Sequence, residues 1–110
     1  MVFHIAISNT DDHLRNHGFL LSKKGWRLSP AYDINPSIDK DGLSMNIDSH
    51  NNILDFDIAK SVGEYFQLNI TDMNKIIAEV KIAVSNWRKK AKEIGISMSE
   101  LELMNAAFRY

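Results

Sequence analysis

Cysteine is absent from this 110-residue chain, which excludes disulfides and thiolate metal sites and suits a reducing compartment. No apolar run approaches the roughly 18 residues that a membrane span requires. The opening Met-Val-Phe-His-Ile also lacks the cationic region and long apolar stretch of a signal peptide. A cytoplasmic location is therefore expected. Charge of one sign is not in excess: the formal net charge of −1 gives no global attraction to nucleic acid, and no direct nucleic-acid binding is expected. No internal repeat or low-complexity tract interrupts the chain. What is present, 45% hydrophobic and 25% charged residues, fits one globular domain. At this size it buries about two thirds of its unfolded surface around one core.

Met1 to Ile7 is apolar apart from His4 and runs into a polar stretch without cap, turn or linker. It reads as the last turns of a helix begun further upstream, or as a short first strand or helix. Asp11 through His17 sets polar and charged residues around Leu14, the composition of a loop that presents side chains. Gly18 to Leu21 and Trp26 to Leu28 then read as two strands joined by a four-residue turn, Ser22 to Gly25, with Gly25 free to take positive φ. Ser29-Pro30 ends the second strand, since proline cannot donate to the ladder. Asn35 to Asn52 is loop, with one short strand around Leu43 to Ile47.

Three helices are expected in the remainder, which makes the fold class mainly α. Asp55 caps the first, whose buried stripe is Ile58, Ala59, Val62, Tyr65 and Phe66 and whose Gly63 costs about 1 kcal/mol in propensity. Thr71 or Asp72 caps the second, with Ile76, Val80, Ala83, Val84, Trp87, Ala91 and Ile94 on one face. Gly95 is a good stop for it. Ser97-Met98-Ser99-Glu100 offers a capping box for a third helix through Leu101, Met104 and Phe108.

The chemistry concentrates between Ser8 and Ile34. Asp11 and Asn16 stand five positions apart, and Asp33 follows the hairpin. Protein kinases place a catalytic Asp beside the acceptor hydroxyl, an Asn five residues later on one Mg²⁺, and an Asp beyond a hairpin on the other. Two hard oxygen ligands and one proton acceptor are what phosphoryl transfer needs. For an isolated D-x4-N the plainer reading is a polar loop whose Asp and Asn cap neighbouring backbone. A third reading uses His13 and His17, four apart, which on a helix would grip one metal with Asp11 or Asp12 as in a metallohydrolase. Otherwise His13 holds the loop by hydrogen bonds and His17 is polar surface. Arg15 contacts a phosphate or acceptor peptide, or pairs with Asp12, the ion pair or a local loop contact being preferred. Trp26 and Trp87 read as core, and the Trp87-Arg88-Lys89-Lys90 run as a solvated helix face.

Asn9-Thr10-Asp11-Asp12-His13-Leu14-Arg15-Asn16-His17-Gly18-Phe19, followed by Trp26-Arg27-Leu28-Ser29-Pro30-Ala31-Tyr32-Asp33-Ile34, resembles the C-terminal catalytic segment of HipA-type serine/threonine kinases, the toxins of bacterial toxin–antitoxin pairs. Trp87, Ala91, Gly95, Ile96, Met104 and Phe108 fall in the order of that family's final helices. The resemblance thus implies that residues 1–110 form the C-terminal part of a HipA-like kinase domain, a kinase-like lobe with a short β-hairpin between the catalytic loop and the metal-binding Asp. It also implies catalytic Asp11, with Asn16 and Asp33 holding Mg²⁺ against ATP and His13, Arg15 and Tyr32 in support. Asn9-Thr10 replaces the usual kinase His-Arg, and Tyr32-Asp33-Ile34 replaces Asp-Phe-Gly, as in this family. The Gly-rich phosphate loop and strand Lys of a nucleotide-binding lobe are missing from these residues, so the chain alone is expected to be inactive. The implied partners are that lobe, a helix-turn-helix antitoxin and a protein substrate. The rival is a non-enzymatic interaction module or remnant that keeps the outline of the site.

Overall fold

The computed structural model describes residues 1–110. Its elements are short: helix α1 (Val2–Ala6), strands β1 (Phe19–Ser22) and β2 (Gly25–Leu28), and helices α2 (Phe56–Ser61), α3 (Ile70–Ser85), α4 (Trp87–Glu93) and α5 (Met98–Leu103). Turns of 3-10 helix occupy Leu14–Asn16, Gly63–Phe66 and Met104–Ala107. Helices thus outweigh the single hairpin, as the sequence pattern predicts. None of them is long and apolar enough to cross a membrane.

The small helix α1 is the centre of the packing. Ile5 packs with Leu43, Leu54 and Ala59, while Ala6 and Ile7 pack with Val84. Phe56 touches both groups and makes them one continuous core. Consecutive residues of one apolar turn therefore face two different partners: the α2 region with its preceding loop, and α3. The tail returns to the same place. Phe108 stacks on Trp87 with ring centroids 4.0 Å apart, and the Arg109 amide donates to the Ala6 carbonyl at 2.7 Å.

The hairpin pairs Phe19 with Leu28, Leu20 with Arg27, Leu21 with Trp26, and Ser22 with Gly25. The loop proper is Lys23-Lys24, two residues rather than the expected four. Ser22 shortens it, because its hydroxyl accepts from the Lys24 amide and donates to the Gly25 carbonyl. Gly25 takes φ of 103°, which its missing Cβ allows.

Other expectations need correction. The short strand at Leu43 to Ile47 is reduced to a single bridge between Gly42 and Ile53. Asn69, not Thr71 or Asp72, caps α3, its side chain accepting from the Asp72 amide. The long middle helix breaks at Asn86. There the Ser85 hydroxyl and the Asn86 carboxamide both donate to the Ile82 carbonyl, drawing off an acceptor of the helical ladder. Tyr65 and Phe66, predicted to be buried, are exposed because α2 ends at Ser61 and the tighter turn after it rotates them outward. Asp55 and the Ser97–Glu100 capping box are as expected.

Candidate functional site

The site loop leaves α1 through Ser8, a buried residue at φ 49°. A left-handed serine is uncommon, and its backbone cost is offset by three bonds. The Ser8 amide donates to the Ile5 carbonyl, its own carbonyl accepts from the Ser37 amide, and its hydroxyl accepts from Arg109 Nε at 3.1 Å. Ser8 thereby joins α1, the segment after Asp33, and the C-terminal tail. Asn9 and Thr10 follow, both buried, and the Thr10 carbonyl accepts from the Ser44 hydroxyl at 2.7 Å. The loop base is fixed before Asp11 is reached.

From there the chain alternates. Asp11 is exposed, Asp12 is buried, His13 is half-buried, Leu14 and Arg15 are exposed, and Asn16 is buried again at 9% exposure. A turn of 3-10 helix at Leu14–Asn16 makes this possible, closed by the Asn16 amide on the His13 carbonyl and the His17 amide on the Leu14 carbonyl. Asn16 lines a cavity of about 140 Å³ with His4, His17, Tyr32 and Ile34 among its walls.

The hairpin returns the chain to this point. The Tyr32 hydroxyl donates to the Arg15 carbonyl at 2.8 Å, binding the residue before Asp33 to the residue before Asn16. Tyr32 and Ile34, on either side of Asp33, wall the same cavity as Asn16. Asp33 itself is exposed at φ 55°, and one of its carboxylate oxygens accepts from Asn35 Nδ2 at 2.9 Å. Aspartate tolerates the left-handed region better than most residues, and here that conformation turns the chain sharply between two cavity-lining neighbours.

Several side chains behave otherwise than the sequence pattern predicts. Arg15 makes no ion pair with Asp12, whose carboxylate pairs with His17 Nε2 at 2.9 Å instead, while its other oxygen lies 3.3 Å from His4 Nδ1. His17 is thus a loop-bracing residue rather than polar surface. His13, expected to brace the loop, leaves its Nδ1 buried without a partner. The metallohydrolase geometry does not form: the loop is not α-helical through Gly18, and no three His, Asp or Glu side chains converge as a metal cluster. Trp26 is not core but 70% exposed. Trp87 is half-buried against Phe108.

The bracing network lies outside the sequence-based expectations, although the sequence carries a signal for it. Asp12 and His17 repeat the five-residue spacing of Asp11 and Asn16 one position later. His4 joins from α1, and Asn9 Nδ2 lies 2.9 Å from its Nδ1. Burial is the chief cause that holds the His4 imidazolium below its ordinary range; the chain's amino terminus adds to this, Asp12 opposes it, and His17 reinforces it. His4 is therefore neutral at pH 7.

A family model described as the HipA-like C-terminal domain matches residues 1–87. The chain belongs to that family. The matched portion holds the loop, the hairpin, Asp33, α2 and α3, and ends at the first residue of α4. The remaining residues of this HipA-like chain, from Arg88 onward, lie outside the match yet pack back on it through Phe108 and Arg109. No curated protein and no solved structure matched the chain.

Proposed function

We infer that this chain is the C-terminal catalytic lobe of a HipA-like protein serine/threonine kinase, which transfers the γ-phosphoryl group of ATP to a protein hydroxyl when joined by a nucleotide-binding lobe. The observation that carries the reading is the Tyr32–Arg15 hydrogen bond, together with the cavity shared by Asn16, Tyr32 and Ile34. It supports a single site made from two segments that are separated by a hairpin.

The donor chemistry suits Mg²⁺, with Asn16 in the cavity wall and Asp33 between two residues of that wall but not itself part of it. Asn16 offers an amide oxygen and Asp33 a carboxylate with one oxygen already oriented by Asn35, both hard ligands. Mg²⁺ in such sites keeps waters and phosphate oxygens as its other ligands, so two protein groups without a cluster of three carboxylates or imidazoles are sufficient. Bound there, the metal would neutralise charge on the β- and γ-phosphates. Asp11, exposed at the mouth of the loop, orients the acceptor hydroxyl and takes its proton as the new bond forms. Tyr32 holds the Asp33 segment against the loop, and exposed Arg15 is available to a phosphate or an acidic acceptor peptide. By its family, the lobe would act in the cytoplasm with a helix-turn-helix antitoxin as partner and a protein as substrate.

The uncovered hairpin face, Phe19, Leu21, Trp26 and Leu28, supports a partner lobe that covers it. It equally favours the second reading, a non-catalytic interaction module. Incubation of the purified chain with labelled ATP, Mg²⁺ and an acceptor protein tests the incompleteness of the site. No transfer is expected from the chain alone, because positioning of the phosphates supplies most of this catalysis. Robust Mg²⁺-dependent transfer by the chain alone would overturn the need for a second lobe.

A further inference from the structure

We propose that Asp12 and His17 are positioning residues for the site, a side-chain clip that sets where Asp11 and Asn16 stand relative to each other. The inference rests on the kinase-lobe reading for the purpose of the clip, but its geometry is independent of that reading. The bond from His17 Nε2 to Asp12 Oδ1, 2.9 Å long, ties together the ends of the segment 12–17. Asp11 is the residue just before one end, and Asn16 is the residue just before the other. Each proposed site residue is therefore one peptide unit from an anchored side chain, and neither has room to drift without stretching the clip.

Three further observations make the clip more than a surface pair. Asp12 is only 6% exposed, so its end of the bond is shielded from competing water. The second carboxylate oxygen of Asp12 faces His4 Nδ1 at 3.3 Å, and Asn9 Nδ2 approaches the same nitrogen at 2.9 Å. His4 belongs to α1, whose next residues, Ile5 and Ala6, are fully buried in the core. The loop thus packs against the buried turn of α1, and His4 and His17 stand in the wall of the same cavity as Asn16. Polar side chains that orient ligands in this way govern metal affinity without touching the metal, typically by 10- to 100-fold.

The test uses the full chain with Mn²⁺ as the probe, an ion that accepts the same oxygen ligands as Mg²⁺. Three variants are compared: His17→Ala removes the clip, His17→Gln restores a donor toward Asp12, and Asn16→Ala removes the proposed ligand. In His17→Ala, the amides of Asn16 and His17 should exchange with solvent on the order of tenfold faster, with those of α3 unchanged and Mn²⁺ affinity reduced about tenfold. His17→Gln should recover much of both. The clip is refuted if loop exchange in His17→Ala stays within about twofold of wild type, or if His17→Gln rescues nothing. It is equally refuted if α3 exchange rises along with the loop, which marks a general folding role. A His17→Ala chain that binds Mn²⁺ normally while Asn16→Ala does not also refutes it. If instead Asn16→Ala leaves Mn²⁺ affinity at the wild-type value, the metal-site reading itself fails, whatever the exchange rates show.

Discussion

Asp11 and Asp12 are neighbours with opposite surroundings, and substitution should separate them. Asp11 is exposed and takes part in none of the ion pairs, so Asp11→Asn removes a charge without orphaning a partner. Stability should be unchanged or slightly raised. Asp12→Ala strands the His17 imidazole beside a buried void and should cost about 1–3 kcal/mol. Chemical denaturation of the two variants reads the difference directly. A second residue-scale consequence concerns pH. With its folded-state pKa lowered chiefly by burial, His4 takes up a proton less readily in the folded chain than in the unfolded one, where it titrates near about 6.5. The stability it allows is full above that value and declines as the pH falls through it toward the folded-state pKa. Asp48, Asp57 and Glu100 are also lowered, Asp48 and Glu100 chiefly by side-chain hydrogen bonds from Asn51 and Ser97 and Asp57 chiefly by its bond to Lys60. Their contributions fade only in the carboxylate range, below about pH 4. Denaturation between pH 7.5 and 5 should show a falling midpoint in the wild type and a flatter dependence in His4→Asn.

Elements differ in how far the sequence announces them. The hairpin, the Asp55 cap and the capping box at Ser97 were legible because each depends on residues close in sequence: alternating apolar residues around a turn, or an acceptor placed next to the amides it serves. The Asn86 break was not, since the apolar period runs through it to Trp87 and only side-chain competition for one carbonyl interrupts the helix. In the site, Asp11, Asn16 and Asp33 stood out by spacing, whereas the exchange of roles between His13 and His17 depends on which way a 3-10 turn points each ring. Trp26 departs from the core expectation because an aromatic residue in an alternating strand normally faces a core, and this hairpin has none against it. Gly63 shows the same limit. Its propensity alone makes Gly63→Ala favourable by about 1 kcal/mol. In the structure, a Cβ there would stand 2.0 Å from the Met73 sulfur, with the Met73 Cγ and Cε at 3.0 and 3.1 Å. Met73 would have to swing its thioether aside within the apolar cavity it lines with Gly63, so Gly63→Ala should lose the propensity gain and cost about 1 kcal/mol, measurable as a lowered denaturation midpoint. A stabilised variant would show that the turn after α2 does not press on α3.

The molecule as a whole is more open than a self-sufficient domain. Its radius of gyration is 15.3 Å, against about 13 Å for a compact chain of about 100 residues. Only 17 of its 110 residues are buried. One face of the hairpin presents four paired apolar residues, Phe19 with Leu28 and Leu21 with Trp26, at 65, 59, 70 and 70% exposure. The hairpin also carries Lys23 and Lys24 in its loop and Arg27 in β2, and no acid. Such a face favours association. Trp26→Lys together with Leu21→Thr should leave the denaturation midpoint nearly unchanged and reduce self-association, as read by analytical ultracentrifugation. A large loss of stability would mean that the face is already covered from within.

The central claim is that the loop and Asp33 of this HipA-like chain form a phosphoryl-transfer site that a nucleotide-binding lobe completes. Its most direct test is transfer of labelled γ-phosphate to protein by the chain joined to the nucleotide-binding lobe of a HipA-like kinase, comparing wild type with Asp11→Asn. The account predicts Mg²⁺-dependent transfer by the wild-type assembly and its loss, by a factor of about 10² or more, in Asp11→Asn at unchanged fold stability. Equal transfer by the two assemblies would contradict it.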